Sequence, residues 1–232
     1  MKFEHTRTFN FEAAFRGMRN PLNSWHKSDS TFYDDVPILG ENDLKLAQRL
    51  IAGGSEHRKF MRQIMVSVDI TAPMYWWSEF DTYKVGTTAN STSKMHKLAT
   101  TPITIHSFEI DDHEPELIFN EYEKNGKFYA DIVGDVFTEY VEDKLEPLRK
   151  EYLKTGDKKY WKELLRLLPN SYLQTRTITF NYENLYAMVR QRLNHKLNEW
   201  SGNDNPYLPS FINWVRTLPY AKELIFFGLH EV

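Results

Sequence analysis

The chain has no cysteine among its 232 residues. That absence excludes disulfides, thiolate-held zinc, iron–sulfur clusters and every mechanism built on a cysteine nucleophile. An excess of charge of one sign is missing too: 29 Lys and Arg against 32 Asp and Glu leave a net charge of -3. The molecule as a whole therefore does not attract phosphate backbones or anionic bilayers, which argues against nucleic acid and membranes as partners. A local group of arginines can still hold one small anion. No stretch approaches the roughly 18 apolar residues of a membrane helix, and Met1-Lys2-Phe3-Glu4-His5 opens without an apolar run of signal-peptide length. A cytoplasmic protein is the expectation. The ten glycines and ten prolines are scattered rather than gathered into a linker, and no repeat or low-complexity tract interrupts the chain. This predicts one domain over residues 1–232. Also missing are a glycine-rich phosphate loop, a Gly-x-Ser-x-Gly elbow and any histidine pair with ligand spacing beside a carboxylate, so no metal site is expected.

What remains is a chain made to fold, with 41% hydrophobic and 15% aromatic residues over 26% charged ones. Phe3 to Phe9 reads as a strand, followed by a short helix capped by Asn10 that buries Phe11, Ala14, Phe15 and Met18. Asn42 to Ala52 reads as a helix with Leu44, Ala47, Leu50 and Ile51 on one face, stopped by Gly53-Gly54. Ile64, Val66, Val68 and Ile70 alternate with polar or semi-polar neighbours, the mark of a half-buried strand. Pro73 then starts a helix bearing Trp76, Trp77, Phe80 and Tyr83. The middle reads as helical: Glu116 to Tyr122, a long stretch from Tyr129 to Tyr152 kinked near Pro147, and Lys158 to Leu168 ended by Pro169. Thr175 to Phe180 alternates as a second strand, Glu183 to Leu197 reads as a helix, and Pro209 to Leu218 as another. Mixed order of this kind predicts an α+β fold.

Between Val85 and Lys94 the sequence fits neither core period and is dense in hydroxyl and amide groups. Lys84, Thr87, Asn90, Thr92, Ser93 and Lys94 place cations beside hydrogen-bonding groups, which is the equipment for a phosphate or sugar. A solvated Ser/Thr turn is the other reading of the same stretch. Arg166 flanks the apolar stripe of Leu164 and Leu165, and Arg192 falls in line with Leu185, Met188 and Val189. An arginine in an apolar stripe is costly unless an anion pairs with it, and that anion is either a ligand or a carboxylate such as Glu183 or Asp69. Trp76-Trp77 and Phe80-Tyr83 can stack on a flavin or a base, but aromatic residues at helical spacing more often pack a core.

The run Ile64-Met65-Val66-Ser67-Val68-Asp69-Ile70-Thr71-Ala72-Pro73, an aromatic helix and a Ser/Thr/Asn loop are followed in order by Leu168-Pro169, Thr175-Arg176 and Asn181 with Leu185 and Arg192 beyond it. In this order the residues resemble the flavin-dependent thymidylate synthases. The matching blocks cover about residues 42–95 and 163–200. The family's signature of Arg-His-Arg, Ser, Asn-Glu, Ser and Arg is here Thr82-Tyr83-Lys84, Thr87, Ala89-Asn90, Thr92 and Lys94, and a slip of one residue restores Asn90 and Ser93. Lysine keeps the charge of arginine without its two-pronged fork.

The resemblance implies a homotetramer that binds FAD, dUMP, methylenetetrahydrofolate and NADPH, and methylates the nucleotide with hydride from the reduced flavin. It implies nucleotide contacts at Arg166, Arg192, Thr92, Ser93 and Lys94. Cofactor contacts fall at Gln63, Tyr83, Lys84, Thr87, Asn90, Asn181 and His195. The absence of cysteine agrees, since a synthase that attacks the uracil ring with a thiolate is excluded while the flavin route needs no such group. The other expectation is a homologue without catalysis that keeps a nucleotide-binding or structural oligomeric role.

Overall fold

The computed structural model describes residues 1–34, 36–113, 117–133, 135–202 and 205–229. In chain order its elements are β1 Lys2–Phe9, α1 Phe11–Met18, β2 Thr31–Tyr33, β3 Val36–Ile38, α2 Glu41–Ala52, β4 Met65–Pro73, α3 Met74–Phe80, β5 Thr88–Ser91 and α4 Lys94–Thr100. They continue with β6 Leu117–Lys124, β7 Lys127–Val133, α5 Val136–Tyr140, α6 Glu146–Thr155, α7 Lys158–Leu167, β8 Leu173–Asn181, α8 Tyr182–Arg192, α9 Asn198–Ser201, α10 Phe211–Arg216 and α11 Ala221–Leu224. The mixture of helix and strand is the α+β fold expected. The chain divides into two compact units, one of Met1–Thr71, Glu79–Asn90 and Thr175–Val232, the other of Ala72–Ser78 and Ser91–Gln174.

The first unit is organised by a four-stranded sheet in the order β1-β4-β8-β5. β1 runs antiparallel to β4, with Phe3 opposite Ile70 and Phe9 opposite Met65. Alternation along β4 sends Val66, Val68 and Ile70 into the core, where Ile178 and Phe180 of β8 join them. On the other face Thr71 bonds Thr175 at 2.7 Å and the Thr177 hydroxyl donates to Asp69 at 2.6 Å. These polar pairs step in opposite directions along the two strands, so one face is hydrogen-bonded while the other is apolar. α1 buries Phe11, Ala14, Phe15 and Met18 as its spacing predicts. Asn10, however, does not cap it: its backbone is left-handed and its amide donates to the Gln63 carbonyl at 2.9 Å.

α2 starts and stops close to the predicted bounds but buries Asp43, Ala47 and Ile51 rather than a purely aliphatic stripe. Asp43 carries no exposed surface and pairs with Arg19 at 2.6 Å. Its other oxygen accepts from the hydroxyls of Ser28 and Ser30 and the backbone N–H groups of Asp29 and Ser30. Burial alone would raise its pKa, but those hydroxyls and Arg19 outweigh it and hold the carboxyl below its usual range.

In the second unit Leu98, Ile103, Phe108, Val141, Leu145 and Leu164 form the core. Here the structure corrects the predicted helices. Leu117–Lys124 and Lys127–Val133 are the antiparallel strands of a hairpin, not helix, and position 116 lies outside the described residues. The reason is the turn Asn125-Gly126, in which both residues have positive φ, 54° and 70°. That geometry matches the twist of two flanking strands and sets the register that closes on Lys124 and Lys127. Helix begins only at Val136, where the Asp135 carboxylate accepts from the Thr138 N–H. Pro147, expected to kink the helix, sits in the first turn of α6 just after a π-helical turn at Val141–Leu145. The wider turn takes up the missing N–H and the crowding of the ring. No helix among the described residues is long and apolar enough to cross a membrane.

Candidate functional site

The end of α3 and the turn beyond it put Glu79 and Tyr83 four residues apart on one side of the chain, and the last turn of α8 brings Arg192 to meet both. Arg192 Nη1 donates to Glu79 Oε2 at 2.6 Å and its Nε donates to the Tyr83 hydroxyl at 2.8 Å. The guanidinium also lies 4.5 Å from the centre of the Trp200 ring and 5.4 Å from that of Tyr83. Arginine over aromatic faces keeps its charge while shedding part of its water. His195 closes the group from the other side, with Nε2 3.3 Å from the same Glu79 oxygen. Its Nδ1 accepts from the Leu197 N–H, which leaves the ring proton on Nε2, directed at the carboxylate. α8 ends at Arg192, short of the predicted Leu197, and the His195 N–H turns back to the Arg192 carbonyl at 3.1 Å.

Beneath this polar group lies a closed circuit of rings. Tyr83 meets Phe80, Phe80 meets Phe180, Phe180 meets Trp214, Trp214 meets Phe211, Phe211 meets Trp200, and Trp200 returns to Tyr83, all at centroid separations of 5.2 to 6.4 Å. Phe80, Phe180, Phe211 and Trp200 are buried, so the circuit is a rigid floor with its polar edge at Tyr83. Trp76 and Trp77 are wholly buried and pack edge to face, and the Trp77 indole donates to the Gln174 carbonyl at 2.9 Å. They serve as core, the more common reading of such a stripe.

The structure therefore gathers Tyr83, Arg192 and His195 of the residues singled out in the sequence, and adds Glu79 and Trp200. The carboxylate on Arg192 is neither Glu183 nor Asp69. Glu183 takes the Arg58 guanidinium at 2.8 Å, and Asp69 takes Thr177. Sequence offered one signal for Glu79, its helical spacing from Tyr83, but the two sit more than a hundred positions before Arg192.

Asn181 performs a different task. Its side chain accepts from the Asn184 N–H while Asn184 accepts from the Asn181 N–H, a reciprocal cap at the start of α8. The Asn184 amide then donates to the Val85 carbonyl at 2.8 Å. Gly86 has φ of +75°, and a Cβ there would stand 3.2 to 3.4 Å from the Asn181 and Asn184 amides. A glycine is needed for this close approach. Thr87 donates its hydroxyl to the Tyr83 carbonyl at 2.5 Å, folding the loop back on itself. Lys84 and Asn90 are exposed, and so is Gln63, whose described hydrogen bonds are made by its backbone, to Asn10 and Phe60, and not to the Arg192 group.

The segment read as a structureless loop contains β5, an edge strand with every side chain exposed. Edge pairing uses backbone groups, so no apolar alternation marks it. In the second unit the Thr92 carbonyl accepts from Gln174, Ser93 precedes α4 without capping it, and Lys94 is its first residue. Arg166 forms a surface pair with Glu163 at 2.7 Å, and no described hydrogen bond or ion pair joins it to residues 92–94. Among the described residues no group of three or more His, Asp or Glu is arranged to hold a metal ion.

No family model and no curated protein matches the sequence. Solved structures do match. One is the flavin-dependent thymidylate synthase ThyX from Helicobacter pylori complexed with FAD and dUMP, with a TM-score of 0.61 and 15% identity over 97% of this chain and 98% of that one. A second structure of Helicobacter pylori thymidylate synthase X with FAD and dUMP gives 0.60 and 16% over 97% of each chain. Across nearly its whole length, the chain has the fold of these synthases.

Proposed function

We propose that the protein is a divergent thymidylate-synthase-like protein that binds a pyrimidine nucleotide of the dUMP type, with Arg192 as the anchor. The observation that carries this reading is a guanidinium that is largely buried yet still reached by solvent, held on two aromatic faces at the edge of a ring floor, in a fold whose solved neighbours carry dUMP. Arg192 supplies the charge, and Tyr83 offers an aromatic surface. In this reading the chain acts as a single-domain homo-oligomer in the cytoplasm.

Of the residues offered for FAD, some are already engaged within the chain and others lie open to solvent. Asn181 is committed to capping α8, His195 has both ring nitrogens engaged, and Thr87 is bonded to its own loop. Gln63, Lys84 and Asn90 remain exposed, and Tyr83 already holds Arg192. Binding of the nucleotide without flavin chemistry is therefore the reading this site supports best. Methyl transfer from methylenetetrahydrofolate, with FAD and NADPH, is the second reading, favoured by the FAD in the solved relatives.

Calorimetric titration with dUMP, followed by absorption spectra with added FAD, tests both. Binding of dUMP that is lost in Arg192→Ala, with the fold intact, is expected. Unchanged affinity in that variant sinks the proposal. A flavin band that sharpens with dUMP would promote the second reading over the first.

A further inference from the structure

Arg192 is not waiting empty-handed for an anion, because Glu79 already sits on its guanidinium and His195 holds the same carboxylate oxygen at 3.3 Å. We infer that Glu79 is an internal stand-in for the ligand's anion, and that it sets the specificity of the site by competing with phosphate for Arg192. This rests on the nucleotide-binding reading of Arg192 and adds a residue to it.

The pair is well placed for exchange. The Arg192 side chain is 15% exposed and Glu79 34%, so solvent reaches the carboxylate more easily than the cation it covers. When Glu79 swings away it enters water at small cost, while Arg192 stays fixed by Tyr83 and by the face of Trp200. An arriving dianion meets a pre-aimed guanidinium, but it must first displace a negative charge that repels it. The consequence is selectivity: an uncharged nucleoside has no quarrel with Glu79, whereas a nucleotide monophosphate does. His195 adds to the hold on Glu79 through its Nε2 proton and releases that donor when the carboxylate leaves. The anion can then take it up.

Glu79→Gln is the sharp variant, since its amide oxygen can still accept from Arg192 and His195 while the charge is gone. The probes are dUMP and deoxyuridine, titrated by calorimetry, with a thermal melt to confirm folding. The expected result is dUMP affinity raised by about tenfold in Glu79→Gln, with deoxyuridine affinity unchanged, as removal of a like charge beside a bound anion requires. The gain disappears in the double variant Glu79→Gln, Arg192→Ala. Glu79→Asp, which keeps the charge but draws it back by one methylene, shows a smaller gain of the same sign.

Equal dUMP affinity in the wild type, Glu79→Gln and Glu79→Asp, together with a loss in Arg192→Ala, overturns the competition while leaving nucleotide binding in place. A matching rise for deoxyuridine overturns it as well, because the effect would then not concern the phosphate. If Arg192→Ala changes nothing in either background, the underlying reading falls and the inference with it.

Discussion

Two arginine–carboxylate pairs in the first unit have the same 2.6 Å contact and opposite surroundings. Arg19 and Asp43 are 4% and 0% exposed, and four further donors surround the carboxylate. Arg192 and Glu79 are 15% and 34% exposed and rest on aromatic rings. The first pair is a structural joint: Asp43 gathers the hydroxyl and N–H groups of residues 28–30 against the start of α2. Neither partner can leave without stranding a buried charge. The second is a contact that water can replace. Chemistry is the same in both, and burial decides which pair holds the fold and which can yield to a ligand.

The sharpest way to break this comparison is Asp43→Ala, which leaves Arg19 charged and buried. A loss of about 3–5 kcal/mol in denaturant unfolding is expected, and a loss below about 1 kcal/mol would place the joint on a par with the surface pair. The acid profile provides a second test. The folded-state pKa of Asp43 is depressed, so its contribution is fully present above the unfolded value of 3.8 and is lost as pH falls through the lower folded value. The stability deficit of Asp43→Asn relative to wild type should therefore be constant above about pH 5 and shrink below it, measured by urea midpoints down the acid range. A deficit that does not shrink with acid means that Asp43 is not held as the anion.

Ser30→Ala removes a hydroxyl that donates to Asp43 and accepts from the Gly40 N–H at 3.0 Å. A cost of about 1–2 kcal/mol is expected in the same unfolding assay. Smallest of all is the effect of Glu79→Gln on stability, within about 1 kcal/mol of wild type by thermal melting, because the Glu79 carboxylate is reached by solvent and its amide replacement can still accept from Arg192. A larger loss there would make Arg192–Glu79 a second structural joint and remove the distinction.

Legibility followed the same division. The four buried residues of α1, the alternation of β4 and β8 and the end of α7 before Pro169 were readable because each is written in a local period or a nearby breaker. The β6–β7 hairpin hides in a stretch whose spacing imitates a helix, and its one local mark is the Asn125-Gly126 dipeptide, the strongest short-range signal of a hairpin turn. Edge strand β5 left no apolar pattern to read. At the site, Arg192 stands out as a cation in an apolar stripe, but nothing near it in the sequence points to Glu79 as the carboxylate that pairs with it.

By itself the sequence determined the α+β class, the exclusion of thiol chemistry and the need for some anion at Arg192, because these follow from composition and from neighbours within a turn or two. Only the tertiary structure decided that the anion is Glu79, that Tyr83 and Trp200 support the guanidinium, and that Asn181 and His195 spend their hydrogen bonds inside the chain. Partners separated by up to 113 positions meet through the packing of whole helices and strands, and no local period records which of several carboxylates will arrive.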